Sequence, residues 1–233
     1  MLRQLQSFTL DDSVLIDGDA VSCPICEKRK PKRFCPAKGE NICAICCGTY
    51  REVTIDCPAD CPHLIAARRY EVAHREPFAA EDFPFPDVEF PADIIRRNGE
   101  ALSGIGLTIL NFAQENDATR DPEILAAVRA LAETYLTLES GIYFERPPEA
   151  PLPRALYAQL AKFLQEFKEQ EAERTGFSKL KDSEIFRLLV FLLRIGTRET
   201  NGRSRSRAFL DFLRAQFPPS AKRESAAPRI ILP

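Results

Sequence analysis

The chain has 233 residues, 45% of them hydrophobic and 28% charged, with a formal net charge of −2. That length sets one to two domains, and the near-neutral balance excludes blanket attraction to nucleic acid or to a membrane surface, so any such partner must be met by a local patch. No apolar run approaches the ~20 residues of a membrane-spanning helix, and Met1-Leu2-Arg3-Gln4 lacks the basic start and apolar core of an export signal, so a cytoplasmic protein without membrane attachment is expected.

Residues 1–20 read as an N-terminal extension in which Ser13-Val14-Leu15-Ile16 before Asp17-Gly18 predicts a short strand and turn. Residues 21–76 hold a Cys-rich module and an exit helix. Pro62 suits the first turn of that helix, which continues through Ala66, Arg69 and Ala73 and must stop before Pro77. Residues 77–92 alternate Pro77, Pro84, Pro86 and Pro91 with Phe78, Phe83, Phe85 and Phe90. Prolines so close together forbid helix and favour an extended course. The phenylalanines read first as a strap packed onto the following helices, and second as a docking strip for another protein.

A helical pattern fills 93–217. Ile94, Ile95, Leu102, Ile105, Ile109, Leu110 and Phe112 share one apolar face across 93–115. Asp121-Pro122 is placed to cap and open the next helix, whose stripe is Ile124, Leu125, Val128, Leu131, Tyr135 and Leu138, with Gly141 at its end. A third helix carries Leu156, Leu160, Phe163, Leu164 and Phe167 and ends at Gly176. The fourth, 182–195, is apolar on nearly every side and is expected at the buried centre. The fifth, 204–217, presents Phe209, Leu210, Phe212, Leu213 and Phe217 and stops at Pro218-Pro219. Residues 218–233 form a tail in which Ile230-Ile231-Leu232 is suited to docking. The expected fold class is all-α, with a small N-terminal zinc-binding module and a five-helix, bundle-like C-terminal domain.

All eight cysteines lie between Cys23 and Cys61. Clustered cysteines in a chain without an export signal bind metal more often than they form disulfides. A Cys-x2-Cys turn aims two thiolates at one ion, which is half a tetrahedron. Two such pairs occur, Cys23 with Cys26 and Cys43 with Cys46, at a separation that closes one four-thiolate site. The remaining Cys35, Cys47, Cys57 and Cys61 are again the number for a tetrahedral site, and His63 is an alternate ligand for Cys47 or Cys61 as well as a plain helix-start histidine. Because Cys35 lies inside the loop of the first site, the two sites would interleave, and two Zn2+ per chain are expected. His74 has no sequence partner and reads as solvated. A segment this short, and this poor in large hydrophobics, cannot fold by apolar burial alone. Structural zinc contributes an apparent ~10–16 kcal/mol in small fingers, enough to fold it outright. Filled four-cysteine sites leave no open position for a catalytic water.

The positions from Cys23 to Cys46 resemble the B-box type of cross-braced zinc domain: a Cys-x2-Cys pair, a third Cys further on, then a second Cys-x2-Cys pair. Lys38 stands where that family has Asp or Cys, and Cys57 and Cys61 stand in place of its closing histidines. The resemblance implies interleaved sites and a protein-interaction or self-association role, not catalysis. The whole chain also resembles uncharacterised bacterial proteins with such an N-terminal Cys-rich motif, which implies no function.

Two basic clusters stand out. Lys28, Arg29, Lys30, Lys32 and Arg33 crowd the loop between Cys26 and Cys35. They read as compensation for the negative charge of thiolate-bound zinc, or as a phosphate-contacting loop. Residues 20–75 carry an excess of four positive charges, which two four-thiolate zinc sites would cancel. The second cluster is Arg194, Arg198, Arg203, Arg205 and Arg207. Asn201-Gly202 signals a turn, so Arg203, Arg205 and Arg207 are expected to open the fifth helix, with Ser204 or Ser206 as its cap. Arginines there oppose the macrodipole and call for acidic neighbours or an external anion. The sequence shows no phosphate-cradling Gly loop, dinucleotide fingerprint or nucleophile elbow, and it holds only two histidines. Glu139, Glu145 and Asp182 are the carboxylates available for pairing on adjoining helices. The expected function is a zinc-stabilised, non-catalytic protein-interaction or adaptor protein. The alternative is a nucleic-acid-binding regulator that uses loop 28–33 and the arginines of 194–207.

Overall fold

In a computed structural model, which describes residues 22–139, 141 and 144–217, the chain is mostly helical, with one two-stranded sheet among the described residues. The strand and turn expected at 13–18 and the tail motif Ile230-Ile231-Leu232 lie outside the described residues. No helix is long and apolar enough to cross a membrane among the described residues. The chain divides after Tyr50 into two compact units.

In the first unit, strands β1 (Arg33–Cys35) and β2 (Glu40–Ile42) pair antiparallel, with Phe34 opposite Asn41 and Cys35 opposite Glu40. The turn between them needs a left-handed residue. Gly39 supplies it at φ +70°, and its N–H donates to the Cys35 carbonyl at 2.8 Å. A short helix, α1 (Ala44–Tyr50), follows. The buried apolar side chains of residues 22–50 are five cysteines and Ile42.

The second unit starts with residues 51–56, where Arg51 and Ile55 form an isolated bridge. Helix α2 (Pro62–Ala73) begins at the expected proline and ends ahead of Pro77. The helix expected over 93–115 is two helices, α3 (Ile94–Arg97) and α4 (Gly99–Glu115). Asn98 breaks it: its side-chain amide donates to the Ile94 carbonyl at 3.2 Å, a local bond that competes with continued helix, and Gly99 follows. Then come α5 (Asp121–Glu139), α6 (Pro151–Thr175), α7 (Asp182–Glu199) and α8 (Ala208–Gln216). Gly176 caps α6 at φ +85°, as its position predicts.

Helix α7 is the buried centre: Ile185, Leu188, Leu189, Val190 and Leu193 lose essentially all exposure. Gly196 allows the close packing around its last turn. A Cβ there would lie 2.5 Å from a Leu125 methyl of α5 and 3.1 Å from the Phe209 ring of α8. The Pro/Phe segment packs as a strap. Phe85 meets Phe186 edge-on at 5.5 Å, and Phe90 meets Phe191 at 6.1 Å. Arg194 clamps it, donating to the carbonyls of Pro84, Phe85, Pro86 and Val88 while its guanidinium sits 4.9 Å from the Phe90 ring centre. Those carbonyls have no sheet or helix to pair with, and one planar five-donor group satisfies several at once.

The fifth expected helix starts four residues later than the sequence suggests, at Ala208, so Arg203, Arg205 and Arg207 precede α8 rather than open it. The cap is shared between Ser206, one of the two expected serines, and a residue far away in the chain. Asp121, fully buried at the start of α5, accepts from the N–H groups of Phe209 and Leu210 at 3.1 Å each and from the Ser206 hydroxyl at 2.6 Å. Ser206 in turn accepts from Ala208 N–H at 3.3 Å. A carboxylate at this helix start satisfies orphan donors and complements the macrodipole.

A candidate four-thiolate metal centre

The Cys23-Pro24-Ile25-Cys26 turn is closed by the Cys23 carbonyl, which accepts from Glu27 N–H at 2.7 Å, and Glu27 adopts a left-handed φ of +53° to make that return. Cys23 N–H donates to the Arg29 carbonyl at 2.8 Å, which folds the basic loop back over the turn. The second pair sits where β2 runs into α1. These two turns bring Cys23, Cys26, Cys43 and Cys46 together, all four sulfurs lying within 4.8 Å of one another. The Cys26 and Cys43 sulfurs are 3.9 Å apart. A tetrahedral zinc with bonds of about 2.3 Å sets its sulfurs about 3.8 Å apart, so the spacing fits. Cys43 N–H donates to the Cys23 sulfur at 3.2 Å and Cys46 N–H to the Cys43 sulfur at 3.3 Å, bonds that favour thiolate over thiol.

The electrostatics argue for a cation at the centre. The N–H of Lys28 is the main influence on Cys26 and lowers its thiol to about 6. At Cys23, burial works against ionisation, but the N–H groups of Cys43, Ile25 and Cys26 outweigh it and lower the thiol. Cys46 goes the other way: burial, together with the neighbouring sulfurs, pushes it up to about 12. Protein dipoles alone therefore stabilise some thiolates of the set but not all four at neutral pH. A soft divalent ion would supply what is lacking, and the donor set suits zinc. Arg29 adds a nearby positive charge, and the Cys26 sulfur keeps its guanidinium firmly protonated. The sequence reading counted Arg29 as one cation in a run and did not single out this contact.

None of the eight cysteines is in a disulfide. Cys35 and Cys47 belong to the first unit, Cys57 and Cys61 to the second. No second group of three or more metal-binding side chains comes together among the described residues. Cys61 occupies the cap position of α2, where its carbonyl accepts from Leu64 and Ile65 N–H at 3.0 Å. His63 lies half-buried in the first turn of α2. His74 is exposed, with Nδ1 bonded to the Tyr70 carbonyl at 2.9 Å and its ring stacked on Tyr70.

Within the second unit, the Arg203 and Arg207 side chains of the second arginine cluster are taken up by other parts of the chain, while Arg198 and Arg205 are exposed. Arg207 pairs with Asp56 at 3.3 Å, a carboxylate it shares with Arg120 at 2.6 Å. Arg203 donates to the Arg51 carbonyl at 2.5 Å, and Arg205 N–H donates to the Glu52 carbonyl at 2.8 Å. Glu52, only 1% exposed, accepts from Arg68 and Asn201 at 2.7 Å each, and Arg68 also reaches Asp211 at 2.6 Å. Burial opposes the charge on Arg68, but the bonds to Asp211 and Glu52 outweigh it and keep the group protonated. One acidic neighbour of the cluster is present, Asp56 beside Arg207, and Arg203 is met by a carbonyl; no sequence pattern points to residues 51–56 for either role. Glu145 and Asp182 line one cavity of about 470 Å³, where Asp182 accepts from Lys168 at 2.8 Å.

No family model matches this chain, and neither does any curated protein or solved structure.

Proposed function

We propose that this chain is a zinc-stabilised, non-catalytic protein-interaction or adaptor protein. The observation that carries the reading is the four-sulfur cluster of Cys23, Cys26, Cys43 and Cys46. It supplies four ligands to one ion, leaves no vacant position for a reacting water, and supports a segment with almost no other interior. The finer proposal retains a second zinc on Cys35, Cys47, Cys57 and Cys61, with His63 as alternate ligand. Elemental analysis of the purified chain tests both parts. One zinc per chain in a colourless protein supports the first site, and a count near two supports the second. Less than one metal per chain rejects the reading. The adaptor role predicts a partner protein, or a second copy, that is retained by the native chain and lost when Cys23 and Cys26 are both replaced by serine.

The nucleic-acid alternative loses support at one of its two clusters. Arg203 and Arg207 already bind the carbonyl and carboxylate groups of residues 51–56. Loop 28–33 is unaffected by that argument.

A further inference from the structure

We infer that the outer face of the β1–β2 hairpin is a stacking platform for single-stranded nucleic acid. The inference rests on the reading of Cys23, Cys26, Cys43 and Cys46 as a zinc site, because that site holds the hairpin. Strand alternation assigns Arg33 and Cys35 to one face of β1 and Phe34 to the other, with exposed Lys32 just ahead of the strand. The Cys35 face is closed by buried Cys35 and Ile42. On the outer face Phe34 is 57% exposed, and its register partner Asn41 is exposed beside it. An exposed aromatic ring on a sheet face, with an amide next to it, offers a base both a stacking surface and a hydrogen-bonding edge.

Charge identifies the occupant. Residues 22–50 contain Lys28, Arg29, Lys30, Lys32, Arg33 and Lys38 against Glu27 and Glu40. A zinc with four thiolates carries two formal negative charges, so the module keeps an excess of two positive charges after compensation. Of these cations Arg29 is the one whose charge is steadied by a site sulfur, that of Cys26. Lys28, Lys30, Lys32, Arg33 and Lys38 have no ion pair or side-chain hydrogen bond among the described residues. In the second unit, by contrast, Arg51, Arg68, Arg120 and Arg207 all meet carboxylates. Uncommitted cations in the same small module as an exposed ring fit a polyanion that carries stackable bases. They do not require a duplex, whose bases are already stacked on one another.

The test is fluorescence polarisation of the zinc-loaded full chain with a labelled oligothymidylate of about ten nucleotides. Binding at low salt is expected, falling as salt rises. Phe34→Ala should weaken it by about tenfold or more, and Phe34→Trp should restore it. Lys32→Ala should reduce the salt slope by about 0.7. The inference is overturned if the zinc-loaded chain fails to bind at low salt, if Phe34→Ala binds as tightly as the native chain, or if a blunt duplex binds equally well. Displacement by polyglutamate at matched charge, with no effect of Phe34, would overturn it in favour of an acidic peptide. Zinc content is measured on the same samples. A metal-free native chain brings down the zinc reading and this inference together, whereas a zinc-loaded chain that ignores the oligonucleotide brings down this inference alone.

Discussion

Residues 22–50 and residues 51–217 both have to keep water out of an interior, and they use different materials. In the first stretch the buried side chains are cysteines and a single isoleucine. In the second they are a continuous aliphatic and aromatic cluster from α4 to α8, with α7 at its centre. The contrast extends to charge. In the second unit Arg68, Arg120 and Arg207 are paired with buried or half-buried carboxylates, while the lysines of the first have no such partner among the described residues. A core built from apolar area tolerates loss of one contact in proportion to its size. A core built on one ion fails with the loss of that ion. The two stretches should therefore respond to different perturbations.

The largest effect expected is metal removal. Strong chelation, or Cys23→Ser with Cys26→Ser, should abolish amide-exchange protection across residues 22–50 and leave the main thermal transition of the helical unit in place. If both stretches melted together, the contrast drawn here would be wrong. The converse test is Leu189→Ala at the centre of α7. It should cost about 2–5 kcal/mol in denaturant unfolding of the helical unit, with no change in bound zinc. Next is Asp121→Ala, which strips the cap from α8 and orphans the N–H groups of Phe209 and Leu210. Chemical denaturation should show a loss of about 2–3 kcal/mol, and Asp121→Asn should recover part of it. A loss below experimental error would show that α8 does not depend on α5 for its start.

The smallest effect is a pH dependence at Glu171. Burial alone would raise this carboxyl, but bonds from Leu180 N–H, the Ser178 hydroxyl and Lys179 N–H outweigh it and hold it below the ordinary value of 4.5. A carboxylate lowered on folding contributes stability above its unfolded pKa, and that contribution is lost as pH falls through the lowered folded value. Glu171→Gln should make the helical unit slightly less stable at neutral pH and flatten its acid response below about pH 4.5. The difference should be small because the group is largely solvated. An unchanged acid profile would mean that the loop from Gly176 to Lys181 does not rely on this carboxylate.

Much of the molecule was legible because its signals are local. Cys-x2-Cys spacing placed the four ligands that cluster, and Gly176, Pro62 and the apolar stripes placed helix ends and faces. The nearly all-apolar run in α7 was read correctly as the centre. What could not be read depends on residues far apart in the chain. The expected start of the fifth helix was too early because its cap is shared with Asp121, on another helix. The Pro/Phe segment allows two readings, and contact with Arg194 and the α7 phenylalanines favours packing for Phe85 and Phe90, while Phe78 stays exposed. The second arginine cluster left an anion to be found, and the protein itself supplies Asp56 and the groups around Glu52.

The sequence alone therefore determined which four sulfurs gather at one point, though not whether Cys35, Cys47, Cys57 and Cys61 do, and which faces seek burial, since spacing along a chain sets the direction of side chains within a turn or two. Tertiary structure decided which charges are already partnered and which remain available, because a charge is satisfied by whatever lies within a few ångströms, however distant in the chain. That is why Arg207 and Lys32, indistinguishable as basic residues in a row of letters, have different prospects in the folded protein.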